Sequence, residues 1–220
     1  MHKTVQNLIN IQNLIKSKLS DLKLIDRSPK IIAVSKTFKI DHITPLIEHG
    51  HIDFGENKVQ EAIEKWTDIK KKKRNLKLHL LGRLQTNKVK YAIKLFDFIH
   101  SLDNEKLAIK ISEEQSKLKT RTKIFIQINI GNESQKGGIK VSELEEFSNF
   151  CIKLNLDIVG TMCLPPDDGK SELYFSEMKK LNDNLNLKEI SMGMSADYLN
   201  AIKHGSTFIR IGSKIFGPRS

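Results

Sequence analysis

The sequence has little cysteine and no long hydrophobic run. Its 220 residues include two cysteines, Cys151 and Cys163, which do not form a C-x-x-C pair and are too few for a disulfide framework. No stretch approaches the roughly 18 consecutive apolar residues that a membrane span requires. Residues 1–8 lack the basic-then-apolar pattern of a secretion signal. These absences predict a reduced, cytoplasmic protein that does not contact a membrane.

Metal-ligand patterns are also missing. The seven histidines are scattered along the chain and form neither an H-E-x-x-H nor an H-x-x-x-H arrangement with carboxylates. Neither cysteine has a nearby histidine and acid that would mark it as a nucleophile. We therefore predict that the protein holds no metal ion.

Acidic residues are outnumbered by basic ones. There are 37 lysines and arginines against 26 aspartates and glutamates, which gives a net charge of +11. The densest basic run, Lys70 to Arg74, lies between a helical pattern and a strand pattern, where cations suit a helix end. Binding of single-stranded nucleic acid requires aromatic residues interleaved with the basic ones, and this run contains none. Nucleic-acid binding is an alternative that rests on charge alone, and we expect no nucleic-acid partner.

Two hydrophobic patterns alternate along the chain. Apolar residues recur at helical spacing from Val5 to Leu22, which predicts a leading helix. Short apolar runs then predict eight strands, at residues 31–34, 51–54, 78–81, 98–100, 124–130, 156–159, 190–192 and 208–211. Between them, helical spacing predicts helices at residues 43–49, 56–66, 87–95, 105–118, 142–154, 172–185 and 196–203.

This alternation predicts the fold. Near-continuous apolar strands are typical of a parallel sheet that is buried on both faces. Eight β/α units after a leading helix favour an α/β fold, a closed (β/α)8 barrel of the TIM type, as a single domain over residues 1–220. The alternative is an open, doubly wound sheet, but no G-x-G-x-x-G follows the first strand to favour it. In such barrels the functional residues lie at the carboxyl ends of the strands.

Lys36 follows the most apolar of the early strands. A lysine is costly to desolvate unless its charge is removed or paired, so burial at a strand end favours a neutral amine that reacts with carbonyls. The alternative is an ordinary lysine whose tip reaches solvent past the mouth of the barrel. Its position alone does not decide between the two.

The last two predicted strands run into turns that contain glycine and serine, at residues 191–195 and 210–217. TIM-type barrels often bind a phosphate in these two loops. Glycine lets the backbone approach an anion, and the hydroxyls of Ser195 and Ser213 can donate hydrogen bonds to it. A lysine that reacts with carbonyls, together with a separate phosphate site, predicts a phosphorylated aldehyde as the ligand.

Arg210 lies inside the eighth predicted strand. If its side chain points into the barrel, and if the phosphorylated aldehyde carries a pyridine ring, Arg210 can reach the nitrogen of that ring. A cation at that place disfavours the protonated ring and weakens it as an electron sink. The alternative, a surface arginine paired with a carboxylate, suits a buried strand less well.

The chain resembles the pyridoxal phosphate homeostasis proteins, which are related to the N-terminal barrel of alanine racemase. The motifs that carry the resemblance run in order over nearly the whole chain. They are AVSKT at residues 33–37, FGENKVQE at 54–61, HLLGRLQTNK at 79–88, QINI at 127–130, KGG at 136–138, SMGMS at 191–195 and RIGSKIFG at 210–217. The loop at residues 131–135 is less acidic than is usual in the family, a departure in an exposed loop.

The resemblance implies that the chain binds pyridoxal 5′-phosphate (PLP) as a Schiff base on Lys36. The further cofactor contacts that it implies are Arg210 at the pyridine nitrogen, Ser195, Gly212 and Ser213 at the phosphate, and Asn57 and His79 elsewhere in the pocket. For His79, ordinary packing at a strand end is an equal alternative.

Two functions fit such a site. One is a non-catalytic role in intracellular PLP homeostasis, with PLP-dependent apoenzymes as candidate recipients; the other is an amino-acid racemase or decarboxylase of the alanine racemase type. Racemisation needs acid/base groups on both faces of the substrate, and the related racemases take one from a C-terminal domain and a partner subunit. The sequence offers no obvious second base after the eighth strand, and its tyrosines all lie in predicted helices. We therefore expect a monomeric cofactor carrier, with residual PLP-dependent activity left open.

Overall fold

Eight parallel strands form a closed ring in the computed structural model, which describes residues 1–218. The strands are β1 Lys30–Val34, β2 Asp53–Glu56, β3 Lys77–Leu80, β4 Phe98–Leu102, β5 Lys123–Ile128, β6 Asp157–Cys163, β7 Glu189–Met194 and β8 Phe208–Ile211. Each strand pairs with the next, and β8 pairs with β1 to close the barrel. The last two residues of the predicted domain lie outside the described residues.

Helices follow the strands in the described part of the chain, after a leading helix. They are α1 Lys3–Asp21, α2 Ile40–Glu48, α3 Val59–Lys72, α4 Val89–Leu95, α5 Glu105–Leu118, α6 Leu144–Lys153, α7 Ser171–Asn184, α8 Tyr198–Lys203 and α9 Ser213–Phe216. Short 3₁₀ turns, Thr86–Lys88 and Val141–Glu143, precede α4 and α6. The predicted (β/α)8 barrel with a leading helix is confirmed.

The leading helix α1 buries its apolar stripe. The stripe consists of Val5, Leu8, Ile11, Ile15 and Leu19. It packs against α2, α8 and α9, and the side-chain amide of Asn7 donates a hydrogen bond to the carbonyl of Ile215 at 2.9 Å. Since burying an apolar side chain contributes roughly 1.5–3 kcal/mol, this stripe accounts for the position of α1 beside the loop after β8.

The apolar residues form two layers. The larger cluster lies between the strands and the surrounding helices. A smaller cluster fills the inside of the barrel and consists of Ile32, Phe98, Phe125, Met162 and Phe208. Inward side chains fill a barrel of this size, so it is a packed core and its ligand site has to lie at a rim.

The start of β2 differs from the sequence prediction. We expected a strand at residues 51–54 and a helix from residue 56, but the strand spans Asp53–Glu56 and α3 begins at Val59. The amide of His51 donates a hydrogen bond to the carbonyl of Leu46, and Gly50 has φ +93°. This is the hydrogen-bonding pattern of a glycine C-cap, so His51 still belongs to the end of α2. The shift places Glu56 at a strand end.

None of the helices in residues 1–218 has both the length and the apolar character needed to cross a bilayer.

Candidate cofactor site

A cavity of about 420 Å³ opens at the carboxyl ends of the strands. Six of the seven residues expected at the site line it, namely Lys36, Asn57, Ser195, Arg210, Gly212 and Ser213. Its other walls are Val34, Phe38, Leu81, Met162, Leu164, Met194, Ala196 and Gly217. The volume lies in the range of ordinary ligand pockets, roughly 300–1,000 Å³. In the described part of the chain, Lys36 and Arg210 are the only ionisable side chains in this lining.

Lys36 follows β1 and is half-buried at the cavity. The next residue, Thr37, has φ +70°, which is strained for a β-branched residue. Its backbone N–H donates to Oε1 of Glu61 at 2.6 Å, and Nζ of Lys65 donates to the carbonyl of Ser35 at 3.0 Å. Two side chains of α3 therefore fix the peptide groups on both sides of Lys36.

A buried ion pair between Lys65 and Glu56 lies next to the hydrogen bonds that hold the Lys36 loop. Nζ of Lys65 lies 2.9 Å from Oε1 of Glu56, and the Glu56 side chain is fully buried. The same Oε1 accepts hydrogen bonds from the hydroxyl of Ser35 at 2.8 Å and from the indole N–H of Trp66 at 2.9 Å. Burial opposes ionisation of Glu61, but its bonds with Thr37 and Lys65 lower its pKa below the usual value. Glu61 thus keeps its charge behind the Lys36 loop.

Arg210 lies on the floor of the cavity and is 5% exposed. Its Nη1 donates to the hydroxyl oxygen of Ser191 and its Nη2 to the carbonyl oxygen of Cys163, both at 2.8 Å. Burial lowers the pKa of Arg210 from its usual value, but a guanidinium keeps its proton in proteins. Its charge therefore faces the cavity from a fixed position.

The loops after β7 and β8 form the wall with Ser195, Gly212 and Ser213. Gly193 has φ +89°, and a Cβ atom there would lie 2.5 Å from Cβ of Ala201, so the turn requires glycine. Gly212 leads directly into the single turn of α9. The two loops place hydroxyl and backbone groups at the cavity, and Asn57 lines it from the end of β2.

The structure does not bring His79 to this cavity. Its ring lies inside the barrel below the mouth, stacked on Phe98 at 4.4 Å between ring centroids. Its Nε2 is 3.0 Å from Oδ1 of Asp53, and its Nδ1 is 3.0 Å from Nε2 of His100. Burial lowers the pKa of His79, although Asp53 opposes this shift. These contacts are those of a histidine packed inside the barrel at a strand end, and His79 is not among the residues that line the cavity.

Sequence reasoning missed the groups that hold the site. Glu61 and Lys65 lie on a helix with many charged residues, and nothing in that pattern distinguishes them from solvated side chains. Ser191 was noted only as part of a glycine-containing turn. The apolar walls Leu81 and Met162 lie at or near the ends of predicted strands, and that position marks them as candidates for the cavity.

Comparison with known proteins gives consistent matches. Residues 12–220 match the family model "Alanine racemase, N-terminal domain". A pyridoxal phosphate homeostasis protein from Pasteurella multocida is 36% identical, with 97% of each chain covered. The structure of PipY from Synechococcus elongatus with PLP bound is 31% identical, with a TM-score of 0.77, and the match covers 92% of this chain and all of that one.

A more distant structure shares only the fold. An alanine racemase from Clostridium difficile is 19% identical with a TM-score of 0.74. The match covers 98% of this chain and 56% of that one.

Proposed function

This chain belongs to the pyridoxal phosphate homeostasis proteins, within the alanine racemase N-terminal domain family, and we propose that it binds PLP through a Schiff base on Lys36. The observation that supports the proposal is that Lys36 and Arg210 line the same cavity, together with Ser195 and Ser213. When bound, PLP supplies an aldehyde and a pyridine ring. Lys36 provides the amine, and its backbone is fixed by Glu61 and Lys65.

The other residues fit the remaining parts of the cofactor. Arg210 is a buried donor that disfavours a proton on a neighbouring ring nitrogen. Ser195 and Ser213 can donate hydroxyl hydrogen bonds to a phosphate, and Gly212 allows the backbone to approach it. Asn57 lies at the same cavity and is the candidate polar contact on the β2 side.

We further propose that the protein keeps and delivers PLP and does not transform amino acids. Abstraction and return of a proton require groups that exchange protons near the substrate. The described lining offers Lys36 and Arg210 as its only ionisable side chains, and a guanidinium is a poor proton donor. Tyr198 is buried in α8, and the hydroxyl of Tyr174 donates to Asp168 outside the lining. A racemase or decarboxylase is the second candidate, favoured by the shared fold alone.

The binding proposal is tested with the purified protein and added PLP. We expect the wild type to become yellow, and borohydride reduction should attach the cofactor to the peptide that contains Lys36. Lys36→Ala should lose the colour and the label. Lys39→Ala removes an exposed lysine of the same loop and serves as the matched control. A wild type that stays colourless with PLP, or a Lys36→Ala variant that is labelled as before, would disprove the proposal.

The carrier role requires two separate measurements. PLP-loaded protein should activate a PLP-dependent apoenzyme faster than the Lys36→Ala variant incubated with the same total PLP. A deletion strain challenged with excess pyridoxine should grow less well than its parent, and the wild-type gene should restore growth. Turnover of L-alanine that depends on Lys36 would instead favour the enzyme.

A further inference from the structure

A chain of hydrogen bonds runs through the barrel from Arg210 to Asp53. Nη1 of Arg210 contacts Oγ of Ser191 at 2.8 Å, and Oγ of Ser191 contacts Nδ1 of His100 at 2.9 Å. Nε2 of His100 contacts Nδ1 of His79 at 3.0 Å, and Nε2 of His79 contacts Oδ1 of Asp53 at 3.0 Å. The chain crosses from β8 through β7, β4 and β3 to the start of β2. It therefore connects the floor of the cavity to the opposite end of the barrel.

The direction of the chain follows from what each group can donate. A guanidinium only donates, so Oγ of Ser191 accepts from Arg210, and its own hydrogen remains available for Nδ1 of His100. His100 then carries its proton on Nε2 and donates to Nδ1 of His79. His79 in turn carries its proton on Nε2 and donates to the carboxylate of Asp53. With two neutral imidazoles and an ionised Asp53, this is the one arrangement in which every bond has a donor and an acceptor.

The surroundings of the two rings support that arrangement. His79 and His100 are both fully buried. Burial lowers the pKa of both, and for His100 the neighbouring His79 and Arg210 lower it further. His79 is stacked on Phe98, and His100 is stacked on Phe125 at 4.2 Å between centroids. Stacking on both rings restricts their rotation, so the orientation of the two imidazole planes is fixed by packing as well as by hydrogen bonds.

The two ends of the chain carry opposite charges. The groups that accept hydrogen bonds from Arg210 in the described structure are a hydroxyl and a carbonyl, neither of which is charged. Asp53 has a side chain that is 13% exposed and lines a second cavity, at the amino-terminal end of the barrel. Aligned dipoles between a cation and an anion stabilise both, because each bond polarises the next.

We propose that Ser191, His100, His79 and Asp53 are positioning residues that hold the guanidinium of Arg210 in its direction toward the bound cofactor. This hydrogen-bond chain gives His79 a role without direct contact to the ligand. His79 is separated from Ser191 by two hydrogen bonds, through His100. The part that concerns the cofactor rests on the function proposed above. The order of the hydrogens does not, because it is a property of the protein alone.

The first test needs no variant and no cofactor. Histidine ¹H–¹⁵N correlation spectra of the wild-type protein without PLP should show His79 and His100 as Nε2–H tautomers. Both rings should be neutral at about pH 7 and above, since both are buried. A proton on Nδ1 of either ring, or a charged imidazole at neutral pH, would overturn the proposed chain.

The second test uses bound PLP as a probe of Arg210. Ser191→Ala removes the hydroxyl that contacts Arg210, whereas His100→Phe breaks the next bond, between Ser191 and His100, and preserves the aromatic stack. Ser191→Ala should weaken PLP binding about tenfold, the size of one lost hydrogen bond to a charged group, and His100→Phe should weaken it more than twofold but less than Ser191→Ala. Both variants should shift the pH dependence of the absorption band. Thr161→Val is the matched control, because it removes a buried hydroxyl that contacts Asn182 and lies outside the chain.

The outcomes separate the two proposals. Folded Ser191→Ala and His100→Phe proteins that bind PLP within twofold of the wild type, with an unshifted band, would overturn the positioning role. An equal effect of Thr161→Val would also overturn it, because the loss would then reflect stability alone. A wild type with the expected tautomers that takes up no PLP would overturn the proposed function and leave the order of the chain supported.

Discussion

Lys65→Met is the most informative test of how the loop of Lys36 is held. Nζ of Lys65 lies 2.9 Å from Glu56 and 3.0 Å from Glu61, and its side chain is 9% exposed. Methionine retains most of the apolar stem but removes the charge. The fully buried Glu56 would then keep only the hydrogen bonds from Ser35 and Trp66.

The expected magnitude follows from the burial of this pair. Removing one partner of a buried ion pair costs about 3–5 kcal/mol, because the other charge is left uncompensated. A domain of ordinary stability has about 5–15 kcal/mol in total. At roughly 2–4 °C for each kcal/mol in a domain of this size, we expect the melting temperature to fall by about 6–20 °C.

Urea unfolding at neutral pH measures the change, and Lys71→Met is the control. Lys71 pairs with Asp68, but both side chains are largely exposed, so its loss should cost at most about 1 kcal/mol. Adding Glu56→Gln to Lys65→Met removes the orphaned charge and should restore part of the loss, by about 0.5–3 kcal/mol. A Lys65→Met variant no less stable than Lys71→Met would refute the reasoning. A double variant that loses more free energy of unfolding than the sum of the two single losses would also refute it.

Two further predictions follow from the same structure. Burial lowers the pKa of His100 well below 6.5, so its contribution to stability is complete above pH 6.5 and is lost as the pH falls. Between pH 7 and 5.5 the free energy of unfolding should drop by about 1 kcal/mol more in the wild type than in His100→Phe, measured by urea titration; equal drops would contradict the buried neutral ring. In Gly82→Ala, the new Cβ would lie 2.2 Å from the carbonyl oxygen of Asn57, so the backbone at the cavity must shift. We expect a loss of about 1–3 kcal/mol and weaker PLP retention, whereas Gly137→Ala, whose Cβ meets the side chain of Asp103, should change both much less.

The barrel and six residues of the cavity lining could be predicted because they depend on local patterns. Short apolar runs at regular intervals specify the strands, and the carboxyl ends of parallel strands must meet at one rim. Lys36 and Arg210 were found by this rule. The start of β2 was misplaced because His51 and Ile52, which follow the C-cap glycine Gly50, continue the apolar run that predicts a strand.

His79 shows where the strand-end rule fails. Side chains two residues apart on a strand point the same way, and Leu81, two residues further along, lines the cavity. His79 therefore lies one layer deeper, level with Gly55 of β2 in the strand register. Placing it required the tilt and stagger of the barrel, which a sequence pattern does not contain.

Separate networks fix the two cations of the cavity. Lys36 is held from outside the barrel by α3, while Arg210 is held from inside by Ser191. In the described structure neither network brings a carboxylate or an imidazole to the cavity lining. Such a site can attract a phosphate and present an amine to an aldehyde. The arrangement agrees with the proposed retention of the cofactor, and amino-acid turnover by the wild type would be the result hardest to reconcile with that proposal.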